Sequence, residues 1–203
     1  MSTDRKAKTL KLVLLALLTA IVIVLQTLAG SLPVYPFTLT LVLIPMVIGA
    51  ALISALAGAW LGAVFGAVVL LTGNAGVFLA FNPAATIATV LLKGALAGLA
   101  AGAAYKLLEK RSKTVAVTVA AIVCPVVNTG IFILASYVFF MPVVLGFAEA
   151  FGFVDALGAP NATATIFIGL VGINFPLELG VNLVLSPVIV RLTQYGLSRQ
   201  RLQ

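Results

Sequence analysis

The sequence has no histidine, a single cysteine and only five acidic residues among 203. Each shortage excludes a kind of chemistry. Without imidazole there is no histidine-based acid–base catalysis. Cys124 sits alone in an apolar run, so it forms no internal disulfide, and without a second thiol or a histidine it offers no zinc site. No glycine-rich phosphate loop ending in Lys-Ser or Lys-Thr occurs, so the chain does not hydrolyse nucleotide by that route. Charge of either sign is scarce. Charged residues make up 8% of the chain, against about 25% in a soluble domain. Twelve basic and five acidic side chains cannot cover a water-facing surface. What the sequence does have is apolar content, 63%, with a mean hydropathy of +1.25. That excludes disorder as well as a soluble enzyme, and it makes lipid the solvent.

The basic residues are grouped. Arg5, Lys6, Lys8 and Lys11 form one cluster, Lys106, Lys110, Arg111 and Lys113 a second, and Arg191, Arg199 and Arg201 a third. Each borders an apolar run, as cytoplasmic flanks do under the positive-inside rule. The net charge of +7 is therefore accounted for by anchoring at a bilayer, and nucleic acid is not a partner. The apolar run Leu12–Leu32 is too long for the core of a secretion signal and reads as an uncleaved first span.

A spanning helix uses roughly 20 apolar residues, so about six fit. The expected fold class is an all-α membrane protein, a single six-transmembrane-helix bundle over 1–203 with both termini cytoplasmic. The spans fall at about 10–31, 39–54, 58–72, 84–105, 115–139 and 163–191. The uncharged stretch 39–72 would be about 51 Å long as one helix, against a hydrocarbon core of roughly 30 Å. Two shorter spans with a break near Ser54–Gly58 fit better, and only that division puts all three basic clusters on one side. The outer segments near 32–38, 73–83 and 141–162 then hold no Lys or Arg. Phe147, Phe151 and Phe153 would make the outer loop 141–162 an apolar lid. Glycines at spacing four, Gly58, Gly62 and Gly66, then Gly94, Gly98 and Gly102, read as close helix packing in lipid.

Ionisable groups at membrane depth are costly and tend to be functional. The candidates are Lys93 and Glu178, joined at overlapping depths by Asn128 and Asn174. Asn174, Glu178 and Asn182 recur every four residues and share one face of the last span, which must point into the bundle. Asn74, Asn82 and Tyr35 lie in or beside the outer loops. Together they suggest a polar pocket open to the outside. The alternative is that Lys93 and Glu178 pair with each other and hold the bundle together.

This pattern, over nearly the whole chain, resembles the substrate-binding (S) components of energy-coupling factor (ECF) vitamin transporters. The first span reads Ala16-Leu17-Leu18-Thr19-Ala20, similar to that family's Ala-x-x-x-Ala motif. The segment from Leu39 through Pro45 to Ala50, leading into Ala57-Gly58-Ala59-Trp60-Leu61-Gly62, is similar to the family's second and third helices. So are Lys93-Gly94 and Asn182-Leu183-Val184-Leu185-Ser186-Pro187. The resemblance implies a subunit of a prokaryotic plasma membrane that binds one water-soluble vitamin or precursor from outside and has no cofactor. Its pocket residues would be Lys93, Asn128, Asn174, Glu178, Asn82, Asn74 and Tyr35. Ala16 and Ala20 would pack against a transmembrane (T) component, and two cytoplasmic ATPases would supply the energy. The second-span segment and the basic residue in the fourth are most similar to the pantothenate- and folate-type branches, with Lys93 facing a substrate carboxylate. A riboflavin-type branch stays open, although Trp60, near the inner end of the third span, is poorly placed to stack on an outer-site ring. Two other readings are a passive channel or structural subunit, and a lipid-modifying enzyme, whose clustered metal-binding acids this sequence lacks.

Overall fold

The computed structural model describes residues 3–30, 41–155, 160–172 and 174–200, and those residues are almost entirely helical. The elements are α1 (Thr3–Gly30), α2 (Leu43–Leu52), α3 (Ala55–Leu71), α4 (Gly76–Phe81), α5 (Pro83–Leu108), α6 (Lys113–Phe139), α7 (Met141–Phe151), α8 (Ala162–Ala164) and α9 (Asn174–Gln200). A π-helical turn, Thr165–Leu170, extends α8. Short polar side chains set several of the starts. Ser54, Asn82 and Ser112 each accept a hydrogen bond from the backbone N–H three residues on, freeing α3, α5 and α6 of one unpaired donor. Pro83, just inside α5, loses nothing there because the first turn has no carbonyl to donate to.

Among the described residues, four stretches are long and apolar enough to cross a bilayer alone: Arg5–Leu28, Pro83–Leu108, Lys113–Phe139 and Ala162–Val188. Helix α2 is different. Its ten residues span about 15 Å, and every residue from Leu43 to Ala50 is buried. A helix apolar on all sides belongs inside. It packs on α1, α3, α5, α6 and α9 and forms the centre of the core with Leu18, Val22, Leu61, Ala97, Ala101, Ala120 and Cys124.

The closest packing joins α3 to α5. Gly58 faces Gly98, Gly62 faces Gly94 and Gly66 faces Val90. The residue numbers of these pairs sum to a constant, so the helices run antiparallel. A Cβ at Gly62 would overlap the Gly94 carbonyl, and one at Gly98 the Gly58 carbonyl. Only hydrogen at these positions lets the two backbones meet. At one end, the turn after α5 leads straight into α6. There Arg191 of α9 donates from Nη2 to Thr114 Oγ1 at 2.7 Å. The first turns of α1 and α6, the last turn of α5 and the Arg191 region of α9 thus share the basic end. The opposite end gathers the last turns of α1, α3 and α6, the starts of α5 and α9, and the short α4 and α7.

Three expectations need correction here. The segment 141–162 is not simply a loop, because α7 occupies Met141–Phe151. Val144, Phe147, Ala148 and Phe151 follow the 3.6-residue period, and Val144 and Ala148 are buried. Gly152, with φ 71°, ends α7 in the left-handed conformation that suits glycine. The sixth span is not one helix over 163–191 either. Its helical path is interrupted between Leu170 and Asn174, with Gly172 at φ 32°. Pro176 explains the position: it has no N–H to offer the Gly172 carbonyl and is tolerated only in a first turn. Similarly, 73–83 contains α4 rather than an unbroken loop.

The glycine contact makes a specific claim. Gly62→Ala should lower unfolding stability in detergent by about 3 kcal/mol through overpacking against backbone. Gly130→Ala, where a Cβ meets nothing within 4 Å, should be neutral or stabilising by up to about 1 kcal/mol. Thermal unfolding of the two variants against the parent chain checks this, and equal midpoints for both would remove the close contact.

Candidate substrate-binding cavity

A partly open cavity of about 130 Å³ lies at the end remote from the basic clusters. Helix α5 contributes Thr86, Thr89 and Lys93, spaced three and four residues apart and so on one face. Helix α6 adds Asn128, Thr129 and Phe132, and α3 adds Phe65 and Val69. The start of α9 supplies Asn174, Phe175 and Glu178, and Gln26 comes from the last turns of α1. Phe78 of α4 and Phe140, between α6 and α7, close one side. Their rings meet edge to face at 5.1 Å, and Phe78 also meets Phe132 at 5.9 Å and Phe147 at 6.3 Å. Phe147 stacks on Phe151 in turn. One aromatic cluster therefore ties α4, α6 and α7 over the cavity wall.

Lys93 is half-buried. Its Nζ lies 5.6 Å from the Phe65 ring centroid and 5.7 Å from that of Phe132, within cation–π range of both. The negative charge of Glu178 also acts on it. Thr86, Asn128 and Glu178 are buried, as is Gln26. Among the described residues, Asn128 Oδ1 is a buried side-chain acceptor without a hydrogen-bond partner. Such an acceptor favours a ligand that brings a donor.

Five of the seven residues named from the sequence line this cavity: Lys93, Asn128, Asn174, Glu178 and, at its exposed rim, Asn74. Asn82 does not. Its Oδ1 accepts from Ala85 N at 3.1 Å and so serves as the cap of α5. Tyr35 lies outside the described residues. Ala16 and Ala20 are exposed on α1, and beside them Trp60 Nε1 donates to Thr19 Oγ1 at 3.2 Å. Phe153 is half-buried, with its ring against Gly169. The threonines of α5, Thr129, Gln26 and the phenylalanines were not anticipated. Gln26 had a signal, being the one amide in the first apolar run, and Thr86, Thr89 and Lys93 had the periodicity.

Asn182 does not join Asn174 and Glu178 in the cavity. Pro125 of α6 has no N–H, so the Ala121 carbonyl four residues earlier lacks its helical partner. Asn182 Nδ2 donates to that carbonyl at 2.9 Å, and Ser186 Oγ donates to Asn182 Oδ1 at 2.8 Å. The amide thus closes a gap in the backbone bonding and ties α9 to α6.

A family model described as "ECF transporter, substrate-specific component" matches residues 10–190. The chain belongs to that family. No curated protein and no solved structure matches it. As an ECF substrate-specific component it is a transporter subunit and not an enzyme, which removes the lipid-modifying reading. Such components bind small-molecule substrates and work with a T component and ATPases in the plasma membrane.

The Asn182 bond separates a structural role from a binding role. Asn182→Ala should lower stability by about 1–3 kcal/mol, the cost of a buried unsatisfied carbonyl, while solute affinity stays within about threefold. Thermal unfolding combined with calorimetric titration checks both, and an unchanged melting midpoint would discount the tie.

Proposed function

We propose that this chain is the high-affinity substrate-binding subunit of an ECF-type importer that takes up a water-soluble vitamin or vitamin precursor in a prokaryote. Pantothenate is the first candidate, with folate and riboflavin as alternatives. The observation that carries this reading is the placement of the cavity. It lies at the end of the bundle opposite the basic clusters and gathers Lys93, Glu178 and several amides and hydroxyls inside an otherwise apolar protein. With the basic end cytoplasmic, the cavity faces outward and both termini face in. Six crossings satisfy that placement, with α2 and α3 as two short passes.

Lys93 would take a carboxylate as a point charge, and Asn128, Asn174, Thr86 and Thr89 would take hydroxyl and amide groups. The T component would dock on α1 at Ala16 and Ala20, whose small side chains are exposed and admit a close helix neighbour. Two ATPases would supply the energy.

Isothermal titration of the purified chain against a vitamin panel, without nucleotide, tests the reading. Saturable binding of one member is the expected result, and no heat with any member would count against it. Lys93→Ala should weaken that binding at least about tenfold, the loss of one charge-assisted contact, in a protein that still elutes as a folded species. Ala16→Trp or Ala20→Trp should leave binding intact and abolish uptake by the assembled transporter. Normal uptake by either variant would remove the docking assignment.

A further inference from the structure

The cavity holds one charged side chain of each sign, Lys93 and Glu178. The chain has little else to bring there. It carries no Asp, Glu, Lys or Arg from Leu12 to Leu92 or from Thr114 to Ala148, and Glu149 and Asp155 are exposed. The lining is therefore neutral in sum. A solute with one anionic group next to Lys93 leaves a single net negative charge in the cavity. A second anionic group would meet Glu178 without a cation to offset it, in apolar surroundings that screen poorly.

Glu178 also sets which polar groups can face it. An ionised carboxylate only accepts hydrogen bonds. Asn128 Oδ1, another acceptor, has no partner among the described residues. Asn128 Oδ1 calls for a donor on the solute, and a wrong solute is rejected by like charge set against Glu178 or by an acceptor left unmatched at Asn128. Resting on the substrate-binding reading above, we propose that Glu178 is the specificity-determining residue of the cavity. It limits the solute to at most one negative charge, carried against Lys93, with no anionic group beside Glu178 and a hydroxyl or N–H donor turned toward Asn128.

The test uses two series of probes that share a skeleton and differ in charge. One is pantothenol, pantothenate and phosphopantothenate; the other is nicotinamide, nicotinate and quinolinate. Each is titrated calorimetrically into the full-length chain in detergent. The parent chain is expected to bind the neutral or singly charged member of at least one series, and the multiply charged member at least about tenfold more weakly. Glu178→Gln should shift the anion-to-neutral affinity ratio about tenfold toward the anion. A ratio cancels any hydrogen bond that the substitution removes from both probes alike. Should Glu178→Gln not fold, the charge series on the parent chain decides alone.

An unchanged ratio in Glu178→Gln, or a multiply charged probe bound as tightly as its singly charged parent, overturns the assignment while leaving the substrate-binding reading intact. Tight binding of folate, which carries two carboxylates, does the same. Failure of all six probes also overturns it, and the panel that includes riboflavin then judges the substrate-binding reading separately.

Discussion

The contact on which the site depends is the meeting of α3 and α5 at Gly62 and Gly94, where no side chain separates the backbones. In lipid there is little hydrophobic gain from pressing helices together, so close van der Waals packing and backbone approach carry the association. That approach has a direct consequence for the cavity. Lys93 precedes Gly94, and Phe65 lies one turn from Gly62, so the contact that joins the helices also brings the ammonium to 5.6 Å from the ring. A wider helix pair would separate the charge from the aromatic face beside it. Packing and binding geometry are set by the same register.

Prolines shape the other side. Pro125 leaves the Ala121 carbonyl without a helical donor, and an unsatisfied carbonyl in a hydrocarbon environment is expensive. Asn182 supplies that donor from α9. Pro176 restricts the continuation of the helical path before α9, and the chain turns at Gly172. The interruption sits beside Leu170, Val171, Asn174 and Phe175, all of which line the cavity. Irregular backbone at such depth is tolerated where protein or a cavity surrounds it. A polar site inside an apolar bundle is thus built partly by the breaks in its own helices.

Much of this was legible in the residues themselves. The solvent, the helical class and the grouping of basic residues followed from composition and charge placement. Lys93, Glu178, Asn128 and Asn174 stood out because polar groups are rare in this chain. What failed was reading function from rarity alone. Asn182 had the same spacing and chemistry as its neighbours, but a carbonyl left open by a proline on another helix claimed it. Asn82 looked like a pocket residue and caps α5. Thr86, Thr89 and Thr129 were passed over because a threonine can satisfy its hydroxyl within its own helix, as Thr86 does on the Asn82 carbonyl, and so gives no warning of a pocket.

The sequence by itself determined that the chain lives in lipid, that it is helical, that its cations gather at the ends of apolar runs and that Lys93 and Glu178 are the charged residues set well inside such runs. These are properties of composition and local period, which need no knowledge of neighbours. Only the tertiary structure decided which polar groups face a shared cavity and which are consumed by backbone, and that α2 lies in the core. Those outcomes depend on helix rotation and on contacts between residues far apart in the chain, such as Gly62 with Gly94 and Asn182 with Ala121. A one-dimensional pattern does not encode which partner arrives there first.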